Sequence, residues 1–254
     1  MRKETSTVNK LLPILVFACL ALTAGGCNAQ GARPQTEQQP IIDYQQRFLP
    51  VLGRNGMVAG PERLAAQVGL QILREGGNAV DAAVATGFAL AVTHPTAGNI
   101  GGGGFMVIRF PNGQSTTIDF REKAPLAAHP EMWLDENGEY SFDVHHRSHH
   151  AVGVPGTVAG FDKAHRLYGA AEWTDLVEPS VELANDGFAL SESLAGSMAR
   201  FSSGRASQYE ATVAAFTNAG APYAAGDTWT QPDLGRTLQR IRDDRADGFY
   251  RGAT

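Results

Sequence analysis

The sequence predicts an α/β fold in which helices and a small sheet pack in layers, and three observations carry that expectation. Leu64, Ala65, Val68, Ile72 and Leu73 recur at the spacing of one helix face. Residues 79–92 are apolar almost all the way round, the mark of a helix buried in a core. GFMVIRF (104–110) and QSTTIDF (114–120) are apolar, β-branched segments either side of a Pro-Asn-Gly turn, which reads as a β-hairpin.

The chain has 254 residues and opens on Arg2, Lys3 and Lys10, with Glu4 among them, before LLPILVFACLALTA (11–24). That apolar run is short for a bilayer core of about 30 Å but fits an export signal. It ends LTAGGC, which resembles the lipobox of bacterial lipoproteins, so residues 1–26 are expected to be a lipoprotein signal peptide and Cys27 the lipid-bearing residue. Ordinary cleavage leaving a free Cys27 is the alternative. Cys19 lies inside the signal, so the mature chain has no second cysteine for an internal disulfide. Residues 27–54, rich in Gln and Pro, read as a flexible tether to a folded region over 55–254.

Within that region Pro61 suits the first position of a helix that Gly76-Gly77 stops. Asn78 is placed to cap the next helix, with Asp81 in its first turn. After the hairpin the periodicity fades from Arg121 to about Pro155, and helices are expected near 157–168, 173–186, 190–201 and 233–246. No internal repeat is evident. The formal charge of −5 argues against a nucleic-acid binder, which would usually show a basic face, and 29 glycines point to tight turns and close backbone approaches.

The sharpest local feature is HPTAGNIGGGGFMVIRF (94–110). A dinucleotide-binding glycine loop follows a strand and opens a helix, whereas these glycines follow a helix and open a strand. A phosphate-binding P-loop requires Lys and Ser or Thr where Phe105 and Met106 stand. The remaining reading is a tight passage, in which bare backbone runs close to the buried helix or to a neighbouring segment. Asn99 and His94, which flank the run, are expected to hold it by hydrogen bonds.

EGGNAVDAAVA (75–85), THPTAGNIGGGGFM (93–106), DFREKAP (119–125), PGTVAGF (155–161), LANDGF (183–188) and DGFYRG (247–252) together resemble large-subunit motifs of the γ-glutamyltranspeptidase family, in order and spacing. The resemblance implies a partial αββα sandwich of the N-terminal-nucleophile hydrolase type. It implies an enzyme that cleaves the γ-glutamyl amide of glutathione and related compounds and passes the acyl group to water, amino acids or peptides. It implies a precursor that cuts itself, exposing a threonine whose hydroxyl attacks while its own α-amine acts as base, with no metal or cofactor. Arg121, in the FRE motif, is then expected to grip the α-carboxylate of the γ-glutamyl group. A planar, permanently charged fork suits that task. Read without the resemblance, Arg121 equally fits an ion pair with Glu122 or Asp119.

No threonine of this chain stands in the nucleophile context. Thr93, Thr116, Thr117 and Thr157 lie in large-subunit motifs, and Thr254 is the last residue, so the nucleophile is expected beyond residue 254. The chain is therefore expected to be an incomplete large subunit, inactive alone, in need of strands from a small subunit made from the same precursor, and held on the periplasmic side of a bacterial outer membrane. A related acylase acting on β-lactam side chains or poly-γ-glutamate is one alternative. A non-catalytic binding lipoprotein is another.

Other candidates carry weaker signals. HHRSHH (145–150) holds four of the seven histidines but lies in a polar stretch without the spacing or partners of a metal centre, and reads as solvated surface. Asp81 and Asp119 read as a cap and a hairpin-end residue, not as acid–base groups. Ser202, Ser203 and Ser207 lack a nucleophile-elbow context. Trp133, Trp173 and Trp229 read as packing residues.

Overall fold

A computed structural model describes residues 51–254, of which Gly53–Thr254 form one compact unit. Residues 1–50, on which the expected signal peptide, Cys27 and the expected tether before Val51 fall, lie outside the described residues. Two long helices set the frame. Helix α1 (Arg63–Arg74) starts at Glu62, whose carboxylate accepts from the Ala65 amide at 2.9 Å. Helix α2 (Ala79–Thr93) starts with a full capping box: Asn78 Oδ1 accepts from the amides of Val80 and Asp81, and Asp81 accepts from the Asn78 amide at 2.8 Å. The uniform apolarity of α2 has the expected consequence, for eleven of its fifteen residues are buried.

The chain leaves α2 through His94, whose carbonyl accepts from the amides of Ala97 and Gly98. It then passes through the glycine run into β1 (Phe105–Arg109), which pairs antiparallel with β2 (Ser115–Asp119), Met106 opposite Ile118 and Ile108 opposite Thr116. Gly113 takes φ 86° in the connecting turn, and the Asn112 side chain accepts from the Gln114 amide at 3.0 Å. One face of the hairpin (Met106, Ile108, Ile118) rests on the core. The other stays open, with Phe105 65% and Val107 75% exposed.

Residues 122–156 are largely turns, with a short helix α3 (Phe142–Arg147) that periodicity did not announce. None of its residues is buried, so it has no apolar face to read; Ser141 caps it locally. Helices α4 (Thr157–Tyr168) and α5 (Trp173–Asp186) fall where expected. α6 (Glu192–Ser203) begins two residues later than its apolar pattern, because Ser191 caps it through the Leu194 amide. A two-residue strand β3 (Phe188–Ala189) pairs with β4 (Thr228–Trp229) across the short helix α7 (Glu210–Phe216). Helix α8 (Pro232–Asp244) and the single turn α9 (Asp247–Tyr250) complete the described chain.

The core joins these elements. Phe88 of α2 meets Phe161 of α4 edge-on at 5.1 Å and Trp173 of α5 at 5.6 Å. The Trp173 indole donates to the Ile241 carbonyl of α8 at 2.9 Å, and that of Trp229 to Ala215 at 3.1 Å. Both rings are buried, which fits the packing role read from sequence. Asp81 does more than close the cap. Its buried carboxylate also accepts from the Ala170 and Ala171 amides between α4 and α5, at 3.1 and 3.2 Å.

Candidate functional site

Arg121 follows β2 where three backbone segments converge. The hairpin ladder runs one pair past the named strands, since Phe120 donates to the Gly104 carbonyl at 3.0 Å. Three residues on, Lys123 and Val154 exchange backbone hydrogen bonds of 3.1 and 2.8 Å. Between these pairings the glycine run lies against residues 120–122. A Cβ on Gly103 would stand 2.5 Å from the Phe120 oxygen and 2.8 Å from both the Arg121 Cα and the Glu122 nitrogen. On the other side, a Cβ on Gly156 would strike the Phe120 carbonyl oxygen. The tight passage thus takes the second course open to it: its partner is the neighbouring segment bearing Arg121. Gly98 alone of the run's flank closes onto the last turn of α2, against the Leu90 carbonyl.

The same convergence starts α4. Gly156 supplies no capping side chain, and the Gly102 carbonyl accepts from the Gly156 and Thr157 amides at 2.7 and 3.1 Å. The Ala159 amide, another first-turn donor, finds the Tyr250 hydroxyl at 3.3 Å. That hydroxyl donates in turn to the Pro155 carbonyl at 2.7 Å. Burial lifts the Tyr250 phenol above its ordinary value, so it stays protonated and able to donate.

Around Arg121 opens a cleft of about 530 Å³, walled by Phe120, Lys123, Pro155, Lys163 and Tyr250. The Arg121 side chain is 67% exposed. Its Nε stands 3.7 Å from Glu122 Oε2, too far for a hydrogen bond, and its terminal nitrogens bond nothing among the described residues. The Arg121 amide donates to Asp119 Oδ1 at 3.0 Å, so Asp119 turns the chain at the hairpin end, as read from sequence. The ion-pair and substrate readings of Arg121 are therefore compatible: the Glu122 contact is loose and leaves the planar fork free for a carboxylate.

The other candidates lie elsewhere. His145 packs on Trp133 at 4.3 Å and bonds the Tyr140 hydroxyl through Nδ1 at 3.0 Å, while His146 stacks on Phe142 at 4.2 Å. Among the described residues no group of His, Cys, Asp and Glu is placed to hold a metal ion. Ser202 and Ser203 return their hydroxyls to helix carbonyls of α6. The His94 side chain reaches only Thr96, at 3.5 Å, and the Asn99 side-chain amide donates to the Ala97 carbonyl, within the loop before the glycines. Nothing in the sequence marks Tyr250 or Lys163 as site residues: DGFYRG carries the tyrosine, but no local pattern says where it points.

The γ-glutamyltranspeptidase family model matches residues 65–254. The chain belongs to the γ-glutamyltranspeptidase family. It is 45% identical over 238 residues to the glutathione hydrolase proenzyme of Escherichia coli strain K12, a match covering 92% of this chain and 40% of that protein. The corresponding proenzyme of Pseudomonas sp. strain A14 is 45% identical over 207 residues, covering 80% and 35%. The γ-glutamyltranspeptidase of Helicobacter pylori has a similar structure, with TM-score 0.76 and 42% identity, over 80% of this chain and 59% of that one. The α/β fold is thus that of a γ-glutamyltranspeptidase, and the chain spans 35–40% of the length of these two proenzymes. Among the described residues no helix is long and apolar enough to cross a membrane.

Proposed function

We propose that this chain is the large-subunit portion of an exported γ-glutamyltranspeptidase that hydrolyses glutathione and transfers its γ-glutamyl group to water, amino acids or peptides. The observation that carries the reading is Arg121, presented by a glycine-walled corner into an open cleft with its fork unengaged. Two parallel N–H groups fit the α-carboxylate of a γ-glutamyl substrate, and the rigid hairpin end fixes their direction. Bond breaking belongs to a threonine supplied by residues that follow 254. Its hydroxyl adds to the γ-carbonyl, its α-amine takes the proton and returns it to the departing amine, and water or an acceptor amine then releases the acyl ester. The open hairpin face, with Phe105 and Val107 uncovered, suits a small subunit laid against it. Lipidation at Cys27 would hold the enzyme on the periplasmic face of an outer membrane.

The test is the complete gene product assayed with a γ-glutamyl anilide. Arg121→Ala is expected to lower kcat/KM about 100-fold, the order expected for two charge-assisted hydrogen bonds. Unchanged KM in that variant would dismiss the carboxylate clamp. Preference for a glutaryl anilide would move the protein to the acylases, and a reading frame that stops at Thr254 would favour a binding lipoprotein.

A further inference from the structure

Arg121 owes its place to backbone packing, and one wall of that packing is held from outside by a side chain far along the chain. Val154 pairs with Lys123, and Gly156 lies against the Phe120 carbonyl, so the corner 154–156 is the support on which residues 120–123 rest. This corner opens α4 without a side-chain cap. Its outer groups, the Pro155 carbonyl and the Ala159 amide, both bond the Tyr250 hydroxyl, at 2.7 and 3.3 Å.

Tyr250 is itself fixed. Arg245 ends α8 at φ 57°, its guanidinium 2.5 Å from Asp162 of α4 and 4.3 Å above the Trp173 ring. That turn directs α9 back toward α4. Thr254 steadies the turn, donating to the Gly248 carbonyl at 2.9 Å and accepting from Arg240 at 2.6 Å. A hydroxyl that accepts from one group and donates to the other suits a corner with one free amide and one free carbonyl.

We infer that Tyr250 is a positioning residue for Arg121: its hydroxyl clamps the 154–159 corner and so fixes where the guanidinium meets a substrate carboxylate. The inference rests on the substrate role of Arg121 proposed above. The hydroxyl spends its two hydrogen bonds on the backbone of the corner, so its removal should act on binding through Arg121 and spare the chemical step.

The experiment is a double-mutant cycle in the complete precursor, with Tyr250→Phe, Arg121→Ala and the pair assayed on a γ-glutamyl anilide. Tyr250→Phe keeps the ring and its edge contact with Phe249 at 5.0 Å. KM is expected to rise about three- to tenfold, the scale of one or two neutral hydrogen bonds, with kcat within about twofold. On the Arg121→Ala background the same change should add nothing. Unchanged KM, an equal penalty on both backgrounds, or a Tyr250→Phe protein that fails to accumulate would each overturn the positioning role. Failure of the underlying reading looks different: the unmutated protein leaves γ-glutamyl substrates intact, or Arg121→Ala has no effect, and the inference then falls with it.

Discussion

Replacing Asp81 by alanine removes the group that ties the start of α2 to the connection between α4 and α5. The carboxylate is fully buried and accepts from three backbone amides: Asn78 at 2.8 Å, Ala170 at 3.1 Å and Ala171 at 3.2 Å. His165 Nε2 lies 3.9 Å away and donates instead to the Ala171 carbonyl at 2.8 Å. Alanine leaves the three amides without their acceptor. At about 1–1.5 kcal/mol for each donor, near the low end because these amides are only partly buried, the loss is about 3–5 kcal/mol. The negative charge at the start of α2 adds a few tenths of a kcal/mol. For a region of this size each kcal/mol moves the melting midpoint about 2–4 °C, so a fall of about 10 °C is expected. Asp81→Asn keeps the length and one acceptor oxygen and should lose roughly half as much. The assay is calorimetry of the complete precursor, with amide hydrogen exchange followed over residues 168–172. A midpoint within about 2 °C of the unmutated protein, together with unchanged exchange at Ala170 and Ala171, would refute the tie.

Two further outcomes follow from the site. Gly103→Ala drives a methyl into backbone atoms of Phe120, Arg121 and Glu122, none of which can rotate aside, so it should cost about 1–3 kcal/mol and raise KM for a γ-glutamyl anilide; unchanged melting and KM would contradict the close approach. For Tyr250, burial raises the folded phenol above its ordinary 10.0, so its stabilising contribution is complete below about pH 10 and fades as pH rises through the higher folded value. Melting midpoints across that alkaline range should fall more steeply for the unmutated protein than for Tyr250→Phe, and parallel curves would argue against the raised phenol.

Much of the frame was legible because its causes lie within a few residues of one another. Asn78 and Asp81 are three positions apart and close the cap they predict. The all-round apolarity of α2 leaves it no place but the interior. The Asn112-Gly113 turn sets the hairpin, and with it the position of Arg121 at the strand end. Short pieces such as α3 and the β3–β4 pair were not legible, because none is long enough to show a period.

By itself, then, the sequence determined the long helices, the hairpin and the family, and singled out Arg121, all through short-range pattern and motif. Only the tertiary structure decided what that residue leans on. The glycines turned out to shape the wall behind Arg121, Asp81 to reach amides about 90 positions away, and Tyr250 to serve as the missing cap of α4. A hydrogen bond between distant residues depends on the path of the whole chain. Local propensity states which groups are in need of a partner, and packing alone states which partner arrives.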